Sequence, residues 1–573
     1  MNTTTKDLKA TGFQLYEDLE THLEAFYRWE KAKANETFLR QPYGNTWKTL
    51  TFQEAGQQAR KIANALKGKG LQKGDHVGIL SKNCYHWIIS DLAIMMGGFV
   101  SVPFYASLPA DQLKVVVEKS DIKALFLGKI EQWDEGKTQA ISQDIYCIRY
   151  NHYQGNAQIP IGEDWDDVLA QHEPMTESPV PQLDDLWTIL FTSGTTGTPK
   201  GVMHPFKNLA LIFKAEFATK WIGVGDMQEY RFFSFLPLNH VGERVGVEGC
   251  CFYVGGSMSF AESLDSFITN LQETQPSLFF AVPRIWTKFQ MGVLGKMSQK
   301  KLDMLLKIPV LSGIIKNKIK KGLGLSKAEI VATGAAITPE HVKQFFLKLG
   351  LRLREAYGMT EVCGSITNTP QHANKPNSVG QVIPFAEVKI HPETGEVLMK
   401  SPQMMTGYYK EPEKTAEVLK DGWLNSGDKG IMDEDGFVKI IGRVKDAFKT
   451  SKGKYITPNP YEEAIATNDC VEQVCVAGLG LPNPIALVNL SEVGQSANKQ
   501  ELETQLKEDL SRINDPLPGY QKISTLIITK DPWTEGNKLL TPTMKIRRGA
   551  IDEKYAQQYE YWYNNKKIVV WES

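Results

Sequence analysis

Between Leu186 and His204 the chain reads LWTILFTSGTTGTPKGVMH, and its centre has the residue types that hold phosphate. Gly194 and Gly197 let backbone N–H groups turn inward with no side chain in the way. Thr192, Ser193, Thr195 and Thr196 add hydroxyl donors, and Lys200 supplies a compact positive charge. No Ser or Thr follows Lys200, and the glycine spacing departs from G-x-x-x-x-G-K-[ST], which disfavours a P-loop NTPase. Taken alone, the same loop also reads as a polar surface turn between two strands.

TSGTTGTPKG resembles the signature loop of the adenylate-forming (AMP-binding, ANL) superfamily, which includes acyl-CoA synthetases, luciferases and peptide-synthetase adenylation domains. The resemblance implies ATP-dependent activation of a carboxylate. Further motifs follow in order. Gly334-Ala335-Ala336 ends a strand-like run with small residues that let a planar base approach the backbone. Tyr357-Gly358-Met359-Thr360-Glu361 resembles the family's YG-x-TE motif. The resemblance implies that Tyr357 stacks on adenine, Thr360 bonds phosphate and Glu361 holds Mg²⁺, a hard ion that shares oxygen ligands with substrate phosphates.

WLNSGDKG, at 423–430, places Asp428 after a Ser-Gly turn, where its carboxylate can accept both ribose hydroxyls; Ser426 stands where the family has Thr. The stretch 438–458, VKIIGRVKDAFKTSKGKYITP, looks like the family's hinge. There the resemblance implies Arg443 at the ribose, Lys445 at the pivot, and Lys452, Gly453, Lys454 and Tyr455 in a loop that faces the site after rotation. Pro205-Phe206 after His204 departs from the usual Thr/Ser-His at that point.

Three matches point to the long-chain fatty acyl-CoA synthetase subgroup. LPLNHVGER is similar to LPL-x-H-x-x-ER, which implies that His240 lies at the carboxylate and thioester site. AVPRIWTKFQ, with Pro283 and Arg284, is similar to the VPR-x-x-x-K element, and equally reads as a strand-to-helix corner. LLTPTMKIRR is similar to the LTPT-x-K-x-RR ending, which implies that Lys545 is the catalytic lysine. Physically, a positioned cation lowers the barrier when a carboxylate attacks the α-phosphate, because charge builds on oxygens there. Gly242 and Gly246 leave room for an acyl chain or permit tight packing, and the sequence does not separate these.

The elements that must position these groups read as α/β. A helix over 55–68, a strand at 76–80, a helix-then-strand from Trp87 to Tyr105 and a strand at 124–128 alternate as in a parallel sheet. Asp91 and Gly97-Gly98 interrupt the Trp87–Tyr105 stretch, which makes it a buried helix and strand, not a membrane span. A polar, proline-bearing region from Ser142 to Pro181 reads as connecting chain. A strand is expected from Phe232 to His240, and a small α/β domain from 459 onward. The expected architecture is a large N-terminal multi-subdomain α/β domain at 1–441, a hinge at 442–446 and a small mobile C-terminal α/β domain at 447–573, in the adenylate-forming fold.

With 573 residues, more than one domain is expected, and a formal net charge of -1 argues against a nucleic-acid partner. The seven scattered cysteines lack C-x-x-C spacing and read as reduced thiols of a cytoplasmic protein; the N-terminus has no signal-peptide core. Between Lys300 and Lys321 lie seven lysines and one acid among apolar residues. This basic amphipathic stretch reads either as two short helices with solvated lysine faces or as a peripheral contact with the inner membrane face.

The implied substrates are fatty acid, ATP and coenzyme A, with Mg²⁺ as cofactor; a homodimer is compatible with the sequence, which does not give the oligomeric state. The expected reaction forms acyl-AMP and pyrophosphate, then the CoA thioester. The alternatives are a fatty acyl-AMP ligase that uses a carrier protein, a CoA ligase for a specialised carboxylic acid, and a non-catalytic acyl- or nucleotide-binding module.

Overall fold

A computed structural model describes residues 13–192, 199–541 and 545–572. Contacts divide the chain into two compact units. The first holds residues up to Thr338, Lys343–Glu387 and Met399–Leu424; the second holds Pro339–Val342, Val388–Leu398 and the chain from Asn425 onward.

Two large sheets build the first unit. In the eight-stranded sheet, His76–Leu80, Val100–Phe104, Ile122–Leu127 and Leu186–Thr192 run parallel, and Lys200–Pro205 then returns antiparallel beside Leu186–Thr192. In the nine-stranded sheet the parallel core is Thr37–Tyr43, Ser257–Phe260, Arg231–Ser234, Leu278–Ala281, Ile330–Gly334 and Leu353–Met359. Strands buried on both faces explain the continuous apolar runs.

The helix Tyr85–Gly97 is buried along its whole length and packs on strands of both sheets. Gly98, at φ 77°, ends it, and Val100–Phe104 follows as a strand. The expected helix and strand are both present. Among the described residues no helix is long and apolar enough to cross a membrane.

Two expectations need correction. The region from Ser142 to Pro181 is not merely connecting chain, because Tyr146–Arg149 and Glu163–Asp164 extend the eight-stranded sheet and Trp165–Gln171 is a helix. Short elements flanked by prolines gave no periodic signal. The strand expected to reach His240 stops at Ser234. Pro237 has no N–H to offer a ladder, and the Phe235 N–H donates to the Glu243 carboxylate instead.

Trp423–Met432 and Val438–Arg443 pair antiparallel within a five-stranded sheet. A four-stranded sheet, Val471–Ala477, Ile485–Leu490, Leu526–Ile528 and Val569–Trp571, packs with the helices Lys499–Asn514 and Arg548–Asn564.

Candidate active site

Two hydrogen-bonded strands, Leu186–Thr192 and Lys200–Pro205, flank the loop expected to hold phosphate, with Thr192 opposite Lys200. Ser193, Gly194, Thr195, Thr196 and Gly197 lie outside the described residues. Lys200 places its ammonium 4.8 Å from the centre of the Tyr408 ring. The Tyr408 hydroxyl in turn donates to Glu361 Oε1 at 2.7 Å. Burial, with the Glu361 charge beside it, raises the Tyr408 pKa well above the usual phenol value, so it remains a donor. One buried aromatic thus joins the loop lysine to the carboxylate expected at the metal.

The carboxylate is held by its own turn. Leu353–Met359 runs into a single 3₁₀ turn, Thr360–Val362, in which Thr360 and Glu361 are both buried. A Cβ on Gly358 would meet Gly364 O at 2.0 Å, so only glycine fits between the two strands. From the hairpin, His204 Nε2–H donates to Thr360 O at 2.7 Å, and His204 Nδ1 accepts from the Asn208 amide at 2.9 Å. His204 therefore ties the strand that follows the loop to the turn carrying Thr360 and Glu361.

Gly334 ends its strand beside Leu353–Met359, and a Cβ there would lie 2.8 Å from Ala356 O. Ala335 follows at φ 67°, a left-handed conformation that costs a non-glycine residue about 1–2 kcal/mol. Tyr357 neighbours Ala356 on the paired strand and is half-buried. The small residues and the aromatic ring are thus adjacent, as a base site needs.

His240 does not end a strand. It caps the helical segment starting at Val241, its Nδ1 accepting the Gly242 N–H at 3.1 Å. With Nδ1 occupied as an acceptor, the ring proton sits on Nε2, which makes His240 a neutral donor. Arg284 lies in the first turn of the helix Pro283–Leu294, at a strand-to-helix corner. A Cβ on Gly246 would meet nothing within 4 Å, so close packing does not account for that glycine.

Within the second unit, Asp428 and Arg443 sit opposite each other on paired strands, with Arg443 Nε 2.7 Å from Asp428 Oδ1. Gly427, at φ 72°, donates its N–H to Glu396. Lys545 is tied to Thr541 by two bonds, from the Lys545 N–H to Thr541 Oγ1 and from the Thr541 N–H to Lys545 O. Although Lys545 is exposed as a residue, desolvation of its ammonium and the Arg443 guanidinium lower its pKa, while Asp428 pulls it back up. The lysine and the two ribose candidates share one electrostatic environment.

Lys445 is exposed. Lys452, Gly453 and Lys454 lie in an exposed turn between two short paired strands, exposed Tyr455 opens the second of them opposite Lys449, and Lys452 bonds the Asn483 side chain.

Among the described residues there is no cluster of three or more His, Cys, Asp or Glu that could cage a metal. Glu361 fits Mg²⁺ in the other way such ions bind, through one carboxylate that shares them with substrate phosphates. Tyr408 is the functional candidate missed in the sequence. Its only signal was an aromatic after Gly407, and its place became visible through pairing of Gly407–Tyr408 with Val202 and Met203.

Residues 26–409 match the family described as AMP-binding enzyme, and 445–567 match the AMP-binding enzyme C-terminal domain. Fatty acyl-CoA synthetase A of Dictyostelium discoideum is 28% identical, over 89% of this chain and 85% of its own length. Long-chain-fatty-acid–CoA ligase 5 of Mus musculus is 28% identical, over 96% and 89%. Among solved structures, the adenylation domain of a carboxylate reductase from Mycobacterium chelonae superposes with a TM-score of 0.79 at 20% identity, covering 96% of this chain and 92% of that one. An anthranilate CoA ligase in complex with anthranoyl-AMP superposes with a TM-score of 0.77 at 18% identity, covering 96% and 99%. By sequence and by fold, the chain belongs to the AMP-binding enzymes of the adenylate-forming superfamily.

Proposed function

We propose that this protein is an AMP-forming acid–thiol ligase that activates a fatty acid with ATP and transfers the acyl group to coenzyme A. The observation that carries the reading is the buried chain from Lys200 through Tyr408 to Glu361, which joins a phosphate-binding cation to a carboxylate suited to Mg²⁺. In the first half-reaction a carboxylate oxygen attacks the α-phosphorus of ATP; that P–O bond forms, the bond to the β-phosphate breaks, and pyrophosphate leaves. In the second, the CoA sulfur attacks the acyl carbonyl and AMP leaves.

Lys200 and the loop residues Thr192 to Gly197 hold the phosphates, and Thr360 adds a hydroxyl. Tyr357, Gly334 and Ala335 take the adenine, and Asp428 with Arg443 takes the ribose. Lys545 bridges the carboxylate and α-phosphate, and His240 donates from Nε2–H to the substrate carboxylate. Mg²⁺ at Glu361 would offset charge on the phosphates. Rotation about Lys445, in a hinge at 442–446 between domains 1–441 and 447–573, exchanges Lys545 for the loop Lys452–Tyr455 beside the thiol's path. The names of the curated relatives support fatty acids and CoA as substrates. A peripheral contact with an anionic membrane through Lys300–Lys321 belongs to the same reading.

The test is pyrophosphate release and thioester formation in parallel, with ATP and Mg²⁺, across saturated fatty acids of increasing length and an aromatic acid. Thioester peaking with a fatty acid is expected. Pyrophosphate without thioester would replace the reading with an acyl-AMP ligase, activity on the aromatic acid alone with a specialised CoA ligase, and silence throughout would overturn it.

A further inference from the structure

Between Ser234, where the strand ends, and His240, the chain has no strand to pair with, yet its backbone is tied down by two buried side chains. Asn83 donates from Nδ2 to Leu236 O at 2.6 Å and to Ser234 Oγ at 2.8 Å, and its Oδ1 accepts the Leu238 N–H at 3.3 Å. Glu243 Oε1 accepts from Ser234 Oγ at 2.7 Å, from the Phe235 N–H at 3.1 Å and from Asn83 Nδ2 at 3.4 Å. The two side chains meet each other and together fix both ends of the turn. His240 stands at its exit.

The arrangement closes on itself. His240 caps the helical segment, with the N–H groups of Glu243 and Arg244 bonded to its carbonyl and that of Gly242 to its ring. Glu243, the third residue of that segment, reaches back to the strand end that leads into the histidine. The neighbouring Arg244 turns elsewhere, to Asp91 and Glu248, and leaves Glu243 without a cation in its hydrogen-bonded set. A carboxyl group buried in this way is worse for stability than an apolar residue of similar size. Burial raises its pKa to about 8. Its hydrogen bonds to Ser234 and Phe235 are what an apolar residue could not supply.

We propose that Glu243 and Asn83 are positioning residues for His240, holding its ring in the Nε2–H form and at the height of the acyl carboxylate. The inference rests on the proposed role of His240, so its test has one arm that needs no substrate. In protein with ¹⁵N-labelled histidine, the His240 signal is identified by its loss in His240→Gln. Wild type is expected to show a single Nε2–H tautomer, Glu243→Ala an average of both tautomers, and Glu243→Gln, which keeps an oxygen acceptor, the wild-type signal.

In the activity arm, Glu243→Ala should lower kcat for adenylate formation by about 10²-fold with KM for ATP unchanged. In a His240→Ala background the same change should cost less than about twofold, because its effect passes through the ring. An unchanged tautomer signal in folded Glu243→Ala, or an equal loss in both backgrounds, overturns the proposal. Should Glu243→Ala fail to fold, Ser234→Ala removes one hydroxyl of the same network, and its His240 signal decides in the same way. If fatty acids are not the substrate, wild type is silent in the activity arm while the tautomer arm still reads the positioning.

Discussion

His204 is a histidine that must never carry a charge. Its Nδ1 accepts from Asn208, its Nε2–H donates to Thr360 O, and burial pushes its pKa down to about 4. The folded pKa lies below the unfolded value, so the stability it contributes is fully present above about pH 6.5. As pH falls toward 4 the unfolded chain takes up the proton first, and stability is lost across that window, by about 3 kcal/mol in all. His204→Gln removes this titration and no other. The advantage of wild type over that variant, read from urea midpoints, should shrink by that amount between pH 7 and pH 4, and a constant advantage would refute the buried neutral state. At this scale contiguous motifs singled out Lys200, Thr360 and Glu361, and the structure brings Lys200 and Glu361 to one tyrosine. The sequence was silent on Tyr408 and Asn83, because their partners come from strands far away in the chain, and no local spacing records such a meeting.

Elements were legible where apolar runs had turn residues at both ends. His76–Leu80 and Ile485–Leu490 fall where the pattern put them, and Pro283 opens a helix at the corner the sequence allowed. The turn before His240 was not legible, because an apolar run looks the same whether a ladder or a buried carboxylate receives its N–H groups. The basic stretch divides into the helices Gln299–Leu306 and Pro309–Gly322, with Pro309 starting the second and Gly313 lying inside it. Solvated lysines over a buried apolar face would leave the large side chains covered, yet Met304 is 58% exposed, Val310 81% and Ile314 59%. Asp303, the one acid, is paired with Lys348. Exposed apolar groups among lysines are what the proposed contact with an anionic bilayer would use, where each cation would contribute about 1 kcal/mol. Reversing Lys316, Lys318, Lys320 and Lys321 to Glu should therefore weaken sedimentation with phosphatidylserine vesicles by at least 10²-fold. Binding that is absent in wild type, or unchanged in the variant, would leave the lysines as a solvated face.

Length alone called for more than one domain, and contacts divide the chain into two compact units. Within the second unit, the proposed hinge and the proposed catalytic lysine meet at one side chain. Arg548, three residues after Lys545, bonds both Glu462 oxygens at 2.7 and 2.9 Å and Val476 O at 2.8 Å, and lies 3.4 Å from Asp446, which follows Lys445. That linkage ties the proposed pivot to the chain just after Lys545, as the proposed rotation would need if the segment moves as one body. The two half-reactions should then separate by mutation. Lys545→Ala removes the cation proposed to bridge two anions, so adenylate formation should fall by at least 10³-fold while thioester formation from supplied acyl-AMP is largely spared. Lys445→Pro fixes φ near −65° and should do the reverse, retaining pyrophosphate release in a single turnover and slowing thioester formation at least tenfold. Both are read by quenched-flow assays of each half-reaction. Equal loss of the two halves in Lys545→Ala would deny that the lysine serves only the first. Normal thioester turnover in Lys445→Pro would move the pivot elsewhere, to a part of the chain where a fixed φ does block the exchange.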